Sequence, residues 1–373
     1  MQESDIKYWV WLSIIPRMRY KKRIQLIEHF GSPKTLWEMS ERDLIRELHM
    51  DISTVKMLMD SKHRDEIESH MEKIEKNGIQ VISYKSLSYP EHLKNIHDPP
   101  LVIYMKGNNI NNDKTVAVVG SRKASNYGLE MAATLSYELS RCGITVISGM
   151  ARGVDTYAHT GALKAGGNTI AVLGCGVDIA YPIENKKLME EIIHRGAVIS
   201  EYLPGEKPFP AYFPARNRII SGMSLGVVVI EAGEKSGSLI TADFALEQGR
   251  EVFAVPGNIT SHNSRGTNGL IREGAKIVTC IEDILEELNM MIVKGESRPS
   301  KNMMDNVDIR LGALSSEELG IVKTIENEAL HIDIIAHKTG FSIQTVNSLL
   351  VMMELKGIIE QFPGKVYKLR SLI

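Results

Sequence analysis

Across residues 115–279 the chain repeats one pattern, a short apolar run followed by a longer segment with helical periodicity. Thr115–Val119, Thr145–Ser148 and residues 169–173 are its first three apolar runs. They are continuously apolar, which is typical of strands in a parallel sheet buried on both faces. The alternation predicts an α/β fold with a doubly wound, Rossmann-like parallel sheet, and such sheets bind ligands at the carboxyl ends of their strands.

The turns beside several of these predicted strands are rich in glycine and small hydroxyl residues. Gly120-Ser121-Arg122 follows the first strand, residues 148–155 join the second strand to its helix, and residues 236–241 open a later helix. Backbone N–H groups at such turns bind phosphate with the helix dipole behind them, and glycines let the backbone approach a ligand closely. The contacts predicted from these turns are Gly120, Ser121, Arg122, Gly149, Ala151, Gly153, Ser236, Gly237, Ser238 and Thr241.

A dinucleotide cofactor is not indicated. The G-x-G-x-x-G fingerprint does not follow the first strand, and Gly174-Cys175-Gly176 lacks its third glycine. Cys142, Cys175 and Cys280 form no Cys-x-x-Cys pair, so we expect reduced core thiols rather than a metal site or a disulfide. The sequence therefore predicts no cofactor and no metal.

Residues 207–218 combine aromatic side chains with cations. Single-stranded nucleic acid requires this combination, because aromatic faces stack on bases while cations pair with phosphates. The formal net charge of -2 confines any polyanion site to a local patch. A proline-rich loop that packs its rings inward would have the same composition, and the residues leave both interpretations open. The candidate contacts in this segment are Lys207, Phe213, Arg216, Asn217 and Arg218.

Asp155, His159 and Glu231 are the acid–base candidates near these turns. Asp155 suits either a helix cap or a ligand contact, and His159 lies one helical turn further along. A lone pair of this kind is more often structural than catalytic, and no serine or cysteine motif here marks a nucleophile. We therefore predict that the chain has no catalytic residues and is not an enzyme.

Residues 1–78 are predicted to form a helical domain that is SAM-like or helix-hairpin-helix-like. One helix should end at Gly31, another should begin after Ser40, and a long amphipathic helix should cover residues 52–76. A domain of this kind is either a module that binds the DNA backbone or a packed helical bundle, and both alternatives stay open.

The rest of the chain divides into three predicted segments. Residues 79–294 should form the Rossmann domain, residues 295–312 a polar linker, and residues 313–373 a winged-helix domain with a hairpin around Pro363-Gly364. The second helix of the winged-helix domain, residues 342–356, carries a cation only at its far end. Duplex DNA binding, protein contact and plain packing all suit that helix.

The N-terminus predicts a cytoplasmic protein with no membrane association. Residues 1–5 are polar and acidic, unlike a signal peptide. The apolar run at residues 8–15 stops at Pro16, far below the length that spans a bilayer.

Together these motifs resemble the DNA-processing protein family DprA, also called Smf. The resemblance covers about residues 89–279 and extends more loosely to the two flanking domains. The matching residues are Gly120-Ser121-Arg122, Ser148-Gly149-Met150-Ala151-Arg152-Gly153-Val154-Asp155-Thr156-Tyr157-Ala158-His159, Tyr181-Pro182, Asn185, Ser200-Glu201-Tyr202, Phe213-Pro214, Arg216-Asn217-Arg218-Ile219-Ile220-Ser221-Gly222, Glu231-Ala232 and Pro256-Gly257.

The resemblance implies an extended Rossmann fold that binds single-stranded DNA and forms a homodimer. It also implies that the protein protects incoming DNA and loads the RecA recombinase during natural transformation, without catalysis. Arg122 matches the arginine of the family's Gly-Ser-Arg, and Arg216 and Arg218 match those of its Arg-Asn-Arg. Lys207 falls where members often carry a basic residue.

The main alternative is an enzyme, a nucleoside-5′-monophosphate phosphoribohydrolase, which has a similar Rossmann sheet. Those enzymes carry Pro-Gly-Gly-x-Gly-Thr followed by a glutamate. The corresponding turn here reads Lys235-Ser236-Gly237-Ser238-Leu239-Ile240-Thr241-Ala242-Asp243. The chain departs from the enzyme pattern where the chemistry would occur, so the sequence favours binding over hydrolysis.

Overall fold

The structure is a computed structural model that describes residues 5–16, 18–48, 52–108, 114–290, 315–325, 329–356, 358–362 and 364–369. It divides into two compact units, Met1–Ile292 and Val293–Ile373. The predicted linker at residues 295–312 lies outside the described residues. The predicted boundary between residues 78 and 79 stays a prediction.

Helices make up the start of the first unit, as predicted. They are α1 (Ile6–Ile14), α2 (Tyr20–Phe30), α3 (Pro33–Glu38), α4 (Glu41–Leu48), α5 (Ile52–Asp60) and α6 (Arg64–Lys76). Gly31 ends α2 at φ 78°, and Ser40 Oγ accepts from Asp43 N at 3.3 Å before α4. The predicted single helix over residues 52–76 is wrong, because the chain turns between α5 and α6. At that turn the carbonyl oxygen of Ser61 accepts from Trp11 Nε1 at 3.1 Å.

Nine strands form the central sheet of the first unit. They are β1 (Gln80–Ser83), β2 (Val102–Gly107), β3 (Thr115–Val119), β4 (Thr145–Ser148), β5 (Thr169–Val172), β6 (Ala197–Ser200), β7 (Gly226–Val229), β8 (Glu251–Ala254) and β9 (Lys276–Ile277). Their order in the sheet is β1-β2-β6-β5-β4-β3-β7-β8-β9. The pairs among β3 to β9 are parallel, as predicted, and β1 and β2 add an antiparallel edge.

The order of the strands reverses beside β3. The chain proceeds from β3 to β6 in one direction and then places β7, β8 and β9 on the other side of β3. A doubly wound sheet opens a crevice at the carboxyl ends of the strands where its order reverses. The fold therefore locates the candidate site at the ends of β3 and β7.

Helices cover both faces of this sheet. They are α7 (Glu91–Lys94), α8 (Asn126–Arg141), α9 (Val154–Lys164), α10 (Lys186–Arg195), α11 (Tyr212–Gly222), α12 (Gly237–Glu247), α13 (Arg265–Arg272) and α14 (Ile281–Glu287). Val116 and Val118 of β3 belong to one core with residues of α8 and α9, whereas Ala117 and Val119 belong to another with residues of α11 and α12. Burial on both faces explains why β3 is apolar throughout.

The second unit is a winged helix, as predicted. Its elements are α15 (Ser316–Thr324), β10 (Leu330–His331), α16 (Ile332–Thr339), α17 (Ile343–Leu355), β11 (Ile359–Phe362) and β12 (Val366–Leu369). Gly340 ends α16 in the left-handed conformation, and Ser342 Oγ accepts from Thr345 N at 3.1 Å to cap α17. The three strands pair in the order β10-β12-β11.

Cys142 and Cys280 are exposed and Cys175 is buried, and all three are free. The prediction of core thiols is therefore confirmed for Cys175 and wrong for the other two. Cys142 follows the last turn of α8 and Cys280 precedes α14, so both lie at helix ends rather than under the sheet. Among the described residues, no helix has both the length and the hydropathy to cross a membrane.

Candidate nucleic-acid interface

A groove with a cavity volume of about 920 Å³ opens at the carboxyl ends of β3 and β7. Turns after these strands, the first half of α11 and the start of α12 form its walls. It brings together eleven of the residues predicted from the sequence. These are Gly120, Ser121, Arg122, Ala151, Phe213, Arg216, Asn217, Ser236, Gly237, Ser238 and Thr241.

The turn after β3 is packed against neighbouring backbone. Ser121 N donates to Glu231 O at 2.7 Å, and Val154 N donates to Ser121 O at 3.2 Å. A Cβ at Gly120 would lie 2.6 Å from Val154 Cγ2, so only glycine allows this approach. The turn leaves Arg122 exposed at the wall of the groove.

Arg122 lies over an aromatic ring. Its guanidinium carbon is 5.5 Å from the centroid of the Phe213 ring, within the range of a cation–π contact. Tyr181 packs on the same ring, with centroids 5.4 Å apart and the planes inclined by 33°. A Cβ at Gly174 would lie 3.0 Å from Phe213 Cδ1, so glycine there leaves room for the ring. The groove thus presents an accessible cation beside two aromatic faces.

Arg216 lies beneath the groove and is only 4% exposed. Its Nη1 donates to Gly149 O at 2.7 Å and also to Val172 O. Burial lowers the pKa of Arg216, and the Asp155 carboxylate opposes that shift. Since a Cβ at Gly149 would lie 2.5 Å from Arg216 Nη1, this glycine makes room for the guanidinium. Arg216 therefore ties α11 to the ends of β4 and β5.

Four of the predicted residues do not line the groove. Gly149 lines a smaller adjoining cavity. Gly153 has φ 74°, and a Cβ at this position would lie 2.3 Å from Ser121 O, so glycine lets the two turns approach each other. Lys207 is exposed outside the groove. Arg218 faces elsewhere, with its Nη2 2.5 Å from Glu201 Oε2 and its Nε 3.1 Å from Asp98 Oδ2.

The start of α12 faces the groove. Ser236 Oγ accepts from Ser238 N at 3.4 Å and caps the helix, and the two hydroxyls are 2.8 Å apart. Asn217 Nδ2 donates to Gly237 O at 3.3 Å and joins α11 to this turn. The positive end of the helix dipole therefore adds to the side-chain cations at a groove wall.

The groove lining also contains polar and aromatic residues that sequence analysis did not predict as contacts. Two of them lie in the short 3-10 helix His262–Ser264 that follows β8. His262 is exposed there, and Asn263 Nδ2 donates to Lys123 O at 2.9 Å. Both residues follow the carboxyl end of a strand, and that position could have identified them as candidate ligand contacts. Among the missed residues are Lys123, Tyr181, Lys235, His262 and Asn263. The lining holds four cations, Arg122, Lys123, Arg216 and Lys235, against two carboxylates, Asp155 and Glu234.

The three acid–base candidates have structural partners. Glu231 accepts from Ser125 N at 2.8 Å and from Ser125 Oγ at 2.6 Å. Asp155 accepts from Ala151 N at 3.2 Å, and Gly153, not Asp155, occupies the N-cap of α9. Burial raises the pKa of Asp155, an effect that Arg216 opposes.

His159 does not pair with Asp155. Its Nδ1 lies 2.7 Å from Thr169 Oγ1, and because that hydroxyl donates to Val146 O, Nδ1 is the donor to Thr169. Burial, with a smaller effect from Arg216, lowers the pKa of His159 to about 3, so the ring is neutral near pH 7. In the described part of the chain, no three His, Cys, Asp or Glu side chains are grouped closely enough to hold a metal ion.

Comparisons with known proteins identify the family to which this chain is similar. The chain matches the family profile described as DNA recombination-mediator protein A over residues 80–289, and the profile of the DprA winged helix domain over residues 311–365. The DNA processing protein DprA of Streptococcus pneumoniae is 48% identical over 200 residues, which are 53% of this chain and 71% of the relative.

Two solved structures are also similar to this chain. The X-ray structure of DNA processing protein A from Streptococcus pneumoniae has a TM-score of 0.67 and 35% identity, covering 75% of this chain and 97% of that one. DNA processing protein A of Helicobacter pylori, whose single-stranded DNA binding mode has been studied structurally, has a TM-score of 0.52 and 30% identity. That match covers 57% of this chain and 95% of the Helicobacter chain.

Proposed function

The chain belongs to the DprA (Smf) family of DNA recombination mediators, and we propose that its groove binds single-stranded DNA. One observation carries the proposal: Arg122 lies over the Phe213 ring, 5.5 Å from its centroid, at the place where the strand order reverses. The cation can pair with a phosphate while the rings of Phe213 and Tyr181 receive bases.

Single strands suit this groove better than duplex DNA does. Tyr181 and Phe213 line the groove, and a base reaches their rings only when it is unstacked and unpaired. The exposed lining cations, Arg122, Lys123 and Lys235, supply the sequence-independent attraction to phosphate that nucleic-acid binding needs. The relative from Helicobacter pylori, studied in its binding of single-stranded DNA, supports the same ligand.

The predicted contacts have two roles in this proposal. Groove residues, above all Arg122 and Phe213, touch the strand directly. Arg216 and Arg218 hold α11 in place from beneath and behind, because their guanidinium groups are buried against carbonyl or carboxylate oxygens. Lys207 adds a weaker, exposed charge outside the groove.

Membership of the family supports the remaining parts of the proposal. We assign the protein to the cytoplasm, where as a homodimer it protects incoming single strands and loads RecA during natural transformation, without catalysing a reaction. RecA-dependent ATP hydrolysis on single strands coated with single-strand-binding protein should rise when the protein is added. Absence of that stimulation from a protein that binds the DNA would contradict the loading role alone.

Binding itself is tested by fluorescence anisotropy with labelled single-stranded and duplex oligonucleotides of one sequence, at several salt concentrations. The single strand should bind more tightly, and its affinity should fall as salt rises with a logarithmic slope of about -0.7 for each phosphate contact. Equal affinity for duplex, or an affinity that does not change with salt, would overturn the proposal.

A further inference from the structure

Three aromatic side chains form a second cluster outside the groove, and we call it the ring stack. The rings of Tyr202 and Tyr212 are stacked, with centroids 4.0 Å apart and planes inclined by 19°. The Phe209 ring packs against Tyr212, with centroids 5.6 Å apart and planes inclined by 63°. None of the three lines the groove or the cavity that adjoins it. We propose that Phe209 stacks on a base of the strand where the strand leaves the groove, an inference that rests on the proposed function.

The Phe209 ring is accessible to a ligand. Phe209 is 57% exposed, whereas Tyr202 and Tyr212 are half-buried. Folding gains stability when a phenylalanine side chain is buried, and the chain leaves much of that gain unused at position 209. An exposed aromatic face can stack on any base, because every base has a flat π-face.

Hydrogen bonds fix the ring stack before any ligand binds. Tyr212 OH donates to Glu206 Oε1 at 2.7 Å, and Tyr212 N donates to Phe209 O at 2.9 Å. Tyr202 N donates to the Oγ of Ser200, the last residue of β6, at 3.0 Å. Because these supports are already ordered, a base that stacks on Phe209 loses little affinity to ordering of the protein.

The ring stack is continuous along the chain with one wall of the groove. Pro210 follows Phe209 directly and lines the groove, as does Phe213 of α11. Lys207, two residues before Phe209, is exposed. A strand that leaves the groove past Pro210 therefore meets an aromatic face and a cation, the combination that single-strand binding uses. Lys207 and Phe209 offer outside the groove what Arg122 and Phe213 offer inside it.

The first experiment compares two oligomers of equal length by fluorescence anisotropy. One consists wholly of thymidines, and the other has a short central block of thymidines flanked by abasic sites. Both supply bases to the groove and phosphates to Lys207, but the second supplies no base to Phe209 while its thymidines occupy the groove. The oligomer made wholly of thymidines should bind roughly ten-fold more tightly, within the range that base stacking on an aromatic residue contributes.

Phe209→Ala should abolish this difference between the two oligomers. It should leave unchanged the affinity for a short oligothymidylate that fills only the groove, and the salt slope, because the ring carries no charge. Phe209→Tyr retains the aromatic face and should keep the difference. Leu87→Ala, at a position 96% exposed between β1 and α7, is the matched control and should keep it as well.

Phe209→Trp gives a direct readout of stacking, because the fluorescence of an indole is quenched when it stacks on a base. The native residues Trp9, Trp11 and Trp37 contribute a background that the unsubstituted protein measures. The oligomer made wholly of thymidines should quench the added fluorescence. The oligomer with abasic flanks should leave it unchanged.

Three results would overturn the proposal while leaving the groove intact. One is equal affinity of the unsubstituted protein for the two oligomers. Another is a difference that persists in Phe209→Ala, or an added fluorescence that the thymidine oligomer does not quench. The third is weaker binding of the short oligothymidylate by a folded Phe209→Ala variant, which would assign the ring to the groove itself. Absence of salt-dependent binding of that short oligomer to the unsubstituted protein would instead contradict the proposed function.

Discussion

Arg218 Nη2 lies 2.5 Å from Glu201 Oε2 in an ion pair whose side chains are 11% and 18% exposed. Asp98 Oδ2 approaches the same guanidinium at 3.1 Å from Nε. Arg216, two residues earlier on α11, lies beneath the groove instead. The two arginines of one motif therefore act on opposite sides of the same helix.

Arg218→Ala should lower the free energy of unfolding by about 3 kcal/mol, because it leaves the buried Glu201 carboxylate without its partner. Chemical unfolding in urea measures the loss. Arg152→Ala is the matched control, since it breaks an exposed ion pair with Glu184 and should change stability far less. The salt slope of DNA binding should stay unchanged in Arg218→Ala. If the magnitude of this slope decreases by about 0.7 in the variant, Arg218 contacts a phosphate.

Arg122→Ala should weaken single-strand binding by roughly 1.5–3 kcal/mol, the range for a charge-assisted contact. It should also reduce the salt slope by about 0.7, since one phosphate contact is lost. Anisotropy titrations at several salt concentrations measure both effects. Lys207→Ala should weaken single-strand binding less, because the ammonium of Lys207 lies outside the groove. Unchanged binding in a folded Arg122→Ala variant would remove that residue from the site.

Acidification should destabilise the protein through His159. Its folded pKa of about 3 lies below the unfolded value of about 6.5, so the unfolded chain binds the proton first as pH falls. The contribution of neutral His159 to the free energy of unfolding is complete above about pH 6.5. It declines toward pH 3 by about 1.4 kcal/mol per pH unit.

Urea unfolding between pH 4 and 7.5 measures this dependence, and His159→Gln should flatten it. His29→Gln, at an exposed position on α2, is the control. A variant at position 159 that keeps the full pH dependence would assign the effect to other groups.

The purified protein should release neither base from AMP nor fragments from DNA. Asp155 and Glu231 already accept hydrogen bonds from the turns that surround them, and His159 pairs with Thr169. Chromatography of AMP and gel analysis of labelled oligonucleotide after long incubation measure turnover. Release that disappears in Asp155→Asn or Glu231→Gln would support the phosphoribohydrolase instead.

Sequence periodicity predicted the elements that depend on local pattern. The strands from β3 to β7 are recognisable because burial on both faces keeps them mostly apolar. Arg122 lies at the groove because it follows directly after β3. Helix geometry also distinguishes Arg216 from Arg218. Residues two apart on a helix do not share a face, so both could not line one groove.

Contacts between distant parts of the chain were not predictable in this way. At the break between α5 and α6, Ser61 O accepts a hydrogen bond from Trp11, fifty residues earlier in the chain. Asn263 reaches the groove from a single 3-10 turn, His262–Ser264, which is too short for a periodic pattern to indicate which way a side chain points. Such features arise from tertiary packing, which local pattern does not encode.

The most direct test of the account is photocrosslinking of a single strand that carries 5-bromodeoxyuridine, followed by mass spectrometry of the linked peptides. Crosslinks should fall on the peptides that contain Tyr181 and Phe213, whose rings lie 5.4 Å apart beside Arg122. They should weaken in Arg122→Ala and as salt rises. Crosslinks confined to the winged helix or to helices α1–α6 would contradict the account.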